Sequence, residues 1–371
     1  MNTYRHLGPF SDLTQAAQRG RPGLFGPALP GPETQARVRE TLGWAPGPEL
    51  AQDVRTERVW EKDGVAGEEI SWFVGYGPRT FAYLLRPQGV AGPLPGVVSL
   101  HDHGGFKFYG KEKIADGPCE TPAILHRFRD GAYGGRAFAN ALAREGFAVL
   151  VPDTFLWGSR RFPLDIMTGG SGNDAEAGSS DEEITAYNGA AGPHEHTVEK
   201  YLTTLGATLA GVVSYEDRVA AAYLAARPDV EKGGVGCVGL SGGGCRSALL
   251  QATSEHVRAA VVVGMMSTFE GLLDHNITTH TWMFFPAGWS RHGDWTDLAA
   301  CRAPSPLLVQ YDDQDPLFTP EGMHDADRRL ADHYASVGKR ENYVGEFYPG
   351  THKFDVEMQT AAFAWLAGYL K

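Results

Sequence analysis

The run "VGCVGLSGGGCRSALL", residues 235–250, leaves little freedom over what this chain can fold into. It starts as a short apolar segment of strand character, breaks at glycines, and continues as a helix. At the break, Gly239-Leu240-Ser241-Gly242-Gly243 fits the pattern G-x-S-x-G. A serine in so tight a strand-to-helix turn takes a strained backbone. Small residues two before and two after it keep clear of the adjoining strand and helix. The hydroxyl is thereby lifted above the sheet edge, over a helix N-terminus that favours developing negative charge. A glycine-rich phosphate loop is the competing explanation. That loop belongs at the first strand of its unit, with an acidic residue about 20 positions on. The downstream residues favour a nucleophile.

Strand-like runs occur at 70–76, 79–87, 97–100, 147–153, 233–240, 258–266, 306–313 and 341–350. Helical patterns separate many of them, at 135–146, 214–228, 320–338 and 357–370. This alternation predicts an α/β fold: a mostly parallel central sheet with helices on both faces. Residues 1–64, with a Pro- and Gly-rich start, read as an N-terminal extension packed on one domain over 65–371. Residues 160–205 break the rhythm with "TGGSGNDAEAGSSDEE" and read as an irregular, lid-like insertion, partly mobile.

A nucleophilic serine needs a base, and the base needs an acid to orient it. For this turn the chain order is Ser, Asp or Glu, His. "PLLVQYDDQDPLF" offers Asp312, Asp313 and Asp315; Asp315, just before Pro316, is preferred and Asp312 comes next. "VGEFYPGTHKFD" offers His352. Both lie at the C-terminal ends of predicted strands, where open α/β sheets place their sites.

Bulk properties narrow the partners. The chain of 371 residues has a formal net charge of −12, and it has no basic run of the kind a nucleic-acid binder needs. No apolar stretch reaches membrane-spanning length, and the N-terminus has no signal-like core. Cys119, Cys237, Cys245 and Cys301 form no CxxC pair, so free thiols in a reducing, cytoplasmic setting are expected.

At the serine, aspartate and histidine motifs the chain resembles the α/β-hydrolase superfamily over roughly residues 65–371. The closer likeness is to its dienelactone-hydrolase-like and acetyl-xylan-esterase-like branch. It is carried by "RVAAAYLAARPDVEKGGVGCVGLSGGG", "PLLVQYDDQDPLFTPEGM" and "FYPGTHKFD". The family's aspartate, in a D-P after the strand, maps to Asp315. Its histidine, in G-x-H-x-F, maps to His352. Dienelactone hydrolases proper carry a cysteine nucleophile where Ser241 stands, so ordinary esters fit better than lactones. The resemblance implies hydrolysis of carboxylic esters with no metal and no cofactor.

The expected chemistry is attack by Ser241 on an ester carbonyl, an acyl-enzyme intermediate, and release by water. Small acyl or carbohydrate-linked esters are the expected small-molecule partners. A peptidase or amidase, a C–C bond hydrolase, or a non-catalytic binding protein of the same fold are the alternatives, and a homo-oligomer is compatible with all of them. The oxyanion donors are expected to be the N–H of Gly242 and one from "HDHGGF" (101–106), at Gly105 or Phe106. Trp157, Trp282, Phe284 and Trp289 are candidate pocket walls. Arg160 and Arg161 are expected in surface ion pairs rather than on an anionic substrate. His194-Glu195-His196 has strand- or loop-type ligand spacing but no third ligand, so no metal is expected there.

Overall fold

The protein is described by a computed structural model over residues 4–21, 23–168, 170, 178–274 and 276–371. Most of the low-complexity stretch at 169–177, expected to be mobile, lies outside the described residues.

The strands are β1 (Gln52–Lys62), β2 (Val65–Phe73), β3 (Thr80–Pro87), β4 (Gly96–Leu100), β5 (Ala148–Pro152), β6 (Val235–Leu240), β7 (Val257–Val263), β8 (Leu307–Asp312) and β9 (Tyr343–Tyr348). The helices are α1 (Leu13–Gly20), α2 (Pro32–Leu42), α3 (Ala123–Ala132), α4 (Phe138–Arg144), α5 (Asp181–Thr204), α6 (Leu209–Ala226), α7 (Gly242–Thr253), α8 (Phe269–Leu272), α9 (Trp295–Ala300), α10 (Pro320–Ser336) and α11 (Val356–Leu370). All strands join one sheet in the order β1-β2-β3-β5-β4-β6-β7-β8-β9. The pairs β1/β2, β2/β3 and β3/β5 are antiparallel, and every pair from β5/β4 to β8/β9 is parallel. The expected mostly parallel sheet is what forms.

Its parallel strands are short and apolar because both faces are covered. In β7, Ala260 and Val262 pack toward α2, α6, α7, α9 and α10, while Ala259, Val261 and Val263 pack toward α4 and α11. Two cores thus lie on opposite faces of one sheet. The boundary expected at residue 64 falls between β1 and β2. These strands form one antiparallel hairpin, with Lys62 opposite Val65, so β1 belongs to the sheet rather than to a separate extension.

The insertion also departs from expectation. Residues 181–204 form a continuous 24-residue helix, α5, in place of an irregular lid. Ser180 starts it with a capping box: its hydroxyl accepts from Glu183 N–H, and Glu183 Oε2 accepts from Ser180 N–H at 2.7 Å. Asp181, Glu182 and Glu183 in the first turn suit the positive end of the helix dipole. Pro193 lies inside the helix, where it forgoes one backbone donor. Packing compensates: Ile184, Tyr187 and Ala191 join Phe106, Phe108, Leu125, Leu164 and Met167 in a third apolar cluster. This cluster fastens α5 to the loop that follows β4.

Candidate active site

Ser241 sits between β6 and α7 at φ 58°, ψ −122°, a conformation costing an ordinary residue about 1–3 kcal/mol. Two backbone bonds hold it there. Ser241 N–H donates to the Val263 carbonyl at 2.8 Å, and Cys245 N–H donates to the Ser241 carbonyl at 2.8 Å. The flanking glycines are sterically required. A Cβ on Gly239 would stand 2.5 Å from both the Gly243 carbonyl carbon and the Leu100 oxygen, and one on Gly243 would fall on the Leu100 oxygen. Gly243→Ala is therefore expected to destabilise the fold by about 3 kcal/mol or more, in the upper range for overpacking. Denaturant unfolding would measure this, and a loss below about 1 kcal/mol would show that the turn has slack.

The histidine and the acid arrive from the neighbouring strands. His352 follows β9, and its Nδ1 pairs with Asp315 Oδ2 at 2.6 Å. Asp315 follows β8, is buried, and accepts Leu317 N–H through its other oxygen at 2.9 Å. The imidazole lies over Gly264, the residue after β7, where an added Cβ would come 3.1 Å from His352 Cε1. Since Ser241 is bonded to Val263, the residue before it, the end of β7 brings serine and histidine together. Nε2 of His352 has no hydrogen-bond partner among the described residues. Burial disfavours the charged ring, but the Asp315 bond and charge, aided by Asp312 and Asp102, outweigh it and raise the pKa above 6.5.

Asp312 is also buried, but it serves the backbone. Its Oδ2 accepts Lys353 N–H at 3.0 Å, and burial pushes its carboxyl up to about 7. His280 is a second imidazole in the same cavity. Its Nε2–H donates to the Leu317 carbonyl at 2.9 Å, and burial pushes its pKa down to about 4. His352 is thus the imidazole equipped to take up a proton.

Ser241, Gly242 and His352 line a cavity of about 260 Å³ with His103, Gly104, Gly105, Phe128, Met265, Thr279, Thr281 and Leu317. The expected second donors do not fit. Gly105 N–H donates to His103 Nδ1 at 3.0 Å, and Phe106 N–H donates to the His103 carbonyl at 3.1 Å, so both amides are engaged inside the loop. The amide that faces the serine turn is that of His103. A Cβ on Gly242 would stand 2.5 Å from its nitrogen. Lys113, fully buried, donates to the Asp102 carbonyl on the other side of that peptide. In a planar trans peptide the C=O and N–H point opposite ways. Anchoring the Asp102 carbonyl on Lys113 therefore turns the His103 N–H toward Gly242.

None of the four aromatic candidates walls this cavity. Phe284 and Trp289 are fully buried in the main core. Trp157 lies behind the β4 loop, edge-on to His103 at 5.1 Å. Trp282 borders a separate surface groove with His196, Glu199 and Lys200. Arg160 is buried rather than superficial, paired with Glu216 at 2.5 Å. Arg161 stacks over Phe108 at 4.4 Å. His194 and His196 lie on α5 and serve different neighbours, Phe162 and Trp282. Glu195 between them carries the more informative contacts, none of them legible from local spacing.

The sheet order, the strained serine turn and the strand-end placement of Asp315 and His352 define the α/β-hydrolase fold. No protein-family model matches the chain. It is 22% identical over 293 residues, 78% of this chain and 83% of the relative, to YtaP of Bacillus subtilis (strain 168), itself only provisionally assigned as a hydrolase. Among solved structures it is similar to a provisionally assigned acetyl xylan esterase from Bacteroides fragilis NCTC 9343. The TM-score is 0.64 at 17% identity, covering 85% of this chain and 73% of the other. A glucuronoyl esterase from Solibacter usitatus gives 0.58 at 14% identity, covering 100% and 97%. Acetyl xylan esterase 1 from a Thermoanaerobacterium species gives 0.54 at 14%, covering 94% and 97%.

Proposed function

We propose that the protein is a serine hydrolase of carboxylic esters. The observation that carries this reading is the strained Ser241 sharing one cavity with the His352–Asp315 pair, whose free Nε2 is available to the hydroxyl. Ser241 Oγ attacks the ester carbonyl as His352 Nε2 takes its proton. Asp315 keeps the Nδ1 hydrogen in place and stabilises the imidazolium. The oxyanion is received by the Gly242 and His103 amides, the latter aimed by Lys113. His352 then protonates the departing alcohol, and a water deprotonated by His352 frees the acid and restores Ser241.

The cavity lies below the usual size range for drug-sized ligands, about 300–1,000 Å³, so we assign it a small acyl group such as acetyl. The esterase names of the structural neighbours support a carbohydrate-linked alcohol outside it. None of the described helices is long and apolar enough to cross a membrane. The four free cysteines fit a reducing compartment, and we place the reaction in the cytoplasm.

Turnover of p-nitrophenyl acetate, falling as the acyl chain lengthens, is the expected result. Inactivity on every chain length would overturn the proposal. The base must be neutral, so kcat/KM should rise with pH and level off once His352 is deprotonated. Because the His352 pKa is raised, the midpoint should lie above 6.5. A midpoint below 6.5 would show that Asp315 does not govern the base.

A further inference from the structure

Glu195 lies in the second half of α5 and is 4% exposed. Its Oε2 meets His103 Nε2 at 2.9 Å and Lys107 Nζ at 2.5 Å. Its Oε1 accepts Thr281 Oγ1 at 2.8 Å and Trp282 N–H at 3.2 Å. Four donors from two loops therefore converge on one carboxylate, and both loops line the cavity that holds Ser241. The His103 ring has no spare freedom. Its Nδ1 accepts Gly105 N–H, so the hydrogen it gives to Glu195 must sit on Nε2.

We infer that Glu195 is a positioning residue for ester hydrolysis: it fixes the His103 ring, and through it the backbone amide that faces Gly242, while holding Thr281 in the cavity lining. The inference rests on the ester-hydrolase reading. Glu195 does not touch the reacting atoms. It acts because an imidazole locked at both nitrogens cannot turn, and its own backbone cannot drift. Burial alone would favour a neutral carboxyl, but the His103 and Lys107 partners overcome it and hold Glu195 well below the usual carboxylate range. The charge is therefore in place at every pH where the enzyme would work. On this view α5 is a fixed buttress of the oxyanion site, in keeping with the apolar cluster beneath it.

The test is Glu195→Gln, which keeps the length and one acceptor oxygen but presents an NH2 where His103 or Lys107 donates. Displacing an oxyanion donor costs less than deleting one, which takes 10²–10³ in kcat. Glu195→Gln should therefore lower kcat on p-nitrophenyl acetate about 10- to 100-fold, with KM within about twofold. Affinity for 1,1,1-trifluoroacetone, whose hydrate-like adduct on Ser241 carries an oxyanion, should fall by the same factor. A purely structural role would move stability without that parallel loss. If the variant folds poorly because Lys107 is left unpaired, Glu195→Gln/Lys107→Met removes the stranded charge and should recover folding but not kcat. Wild-type kcat and inhibitor affinity in either variant would overturn the inference, as would a KM effect with kcat retained. A wild type that neither turns over the ester nor binds the ketone would instead overturn the ester-hydrolase reading itself.

Discussion

Ser241→Ala is expected to lower kcat on p-nitrophenyl acetate by about 10⁶-fold, the scale seen when a serine hydrolase loses its nucleophile. The residual rate should come from the oxyanion amides and binding alone. Alanine leaves the turn's geometry unchanged, because it suffers the same strain as serine at φ 58°. Thermal stability should therefore hardly move, which separates lost chemistry from lost fold. Ser241→Gly sharpens the contrast. Glycine tolerates this backbone, so the variant should be equally inactive yet more stable by on the order of 1 kcal/mol, the strain relieved exceeding glycine's entropic cost. Turnover unchanged in Ser241→Ala would remove Ser241 from the mechanism.

Asp315→Asn should lower kcat by about 10⁴-fold, because an amide facing Nδ1 favours the wrong imidazole tautomer. Asp312→Asn should cost less than about tenfold. Asp312 bonds a backbone N–H rather than the ring, an asparagine oxygen can keep that bond, and with its carboxyl near 7 it carries only part of a charge at neutral pH. Its negative form does help hold the His352 proton. Removing it should therefore move the midpoint of the pH–rate profile to lower pH while leaving the plateau nearly intact. Measured profiles of both variants would decide the acid, and a larger loss in Asp312→Asn would reverse the assignment.

The readable parts of this chain were those in which chemistry and local backbone coincide. The strained turn at Ser241 is legible because the glycines around it answer to atoms of that turn and of the adjacent Leu100. The pairing of Asp315 with His352 is legible because strand ends in such sheets gather at one edge. The amide facing Gly242 is that of His103, two or three residues before the expected Gly105 or Phe106. The loop "HDHGGF" is contacted by Lys113, Trp157 and Glu195, the last two more than 50 residues away in sequence and beyond the reach of local pattern. Helix α5 was hidden by Gly189, Gly192 and Pro193, although Ser180 and Glu183 form a capping signature that pattern reading alone could have caught. Phe284 and Trp289 were misplaced because an aromatic run looks the same whether it walls a pocket or fills a core.

Helix α5 also bears on how this scaffold can be modified. The loop after β4 draws part of its apolar support and several hydrogen bonds from this insertion, including two backbone N–H bonds accepted by Asn188 Oδ1 at 2.8 and 3.0 Å. Loop and helix therefore form one transplantable unit. A chimera exchanging residues 101–110 alone would carry the amide that faces Gly242 into a foreign setting, and a deletion trimming α5 would leave a sound sheet with an unsupported loop. Changing specificity in this scaffold calls for moving both segments together.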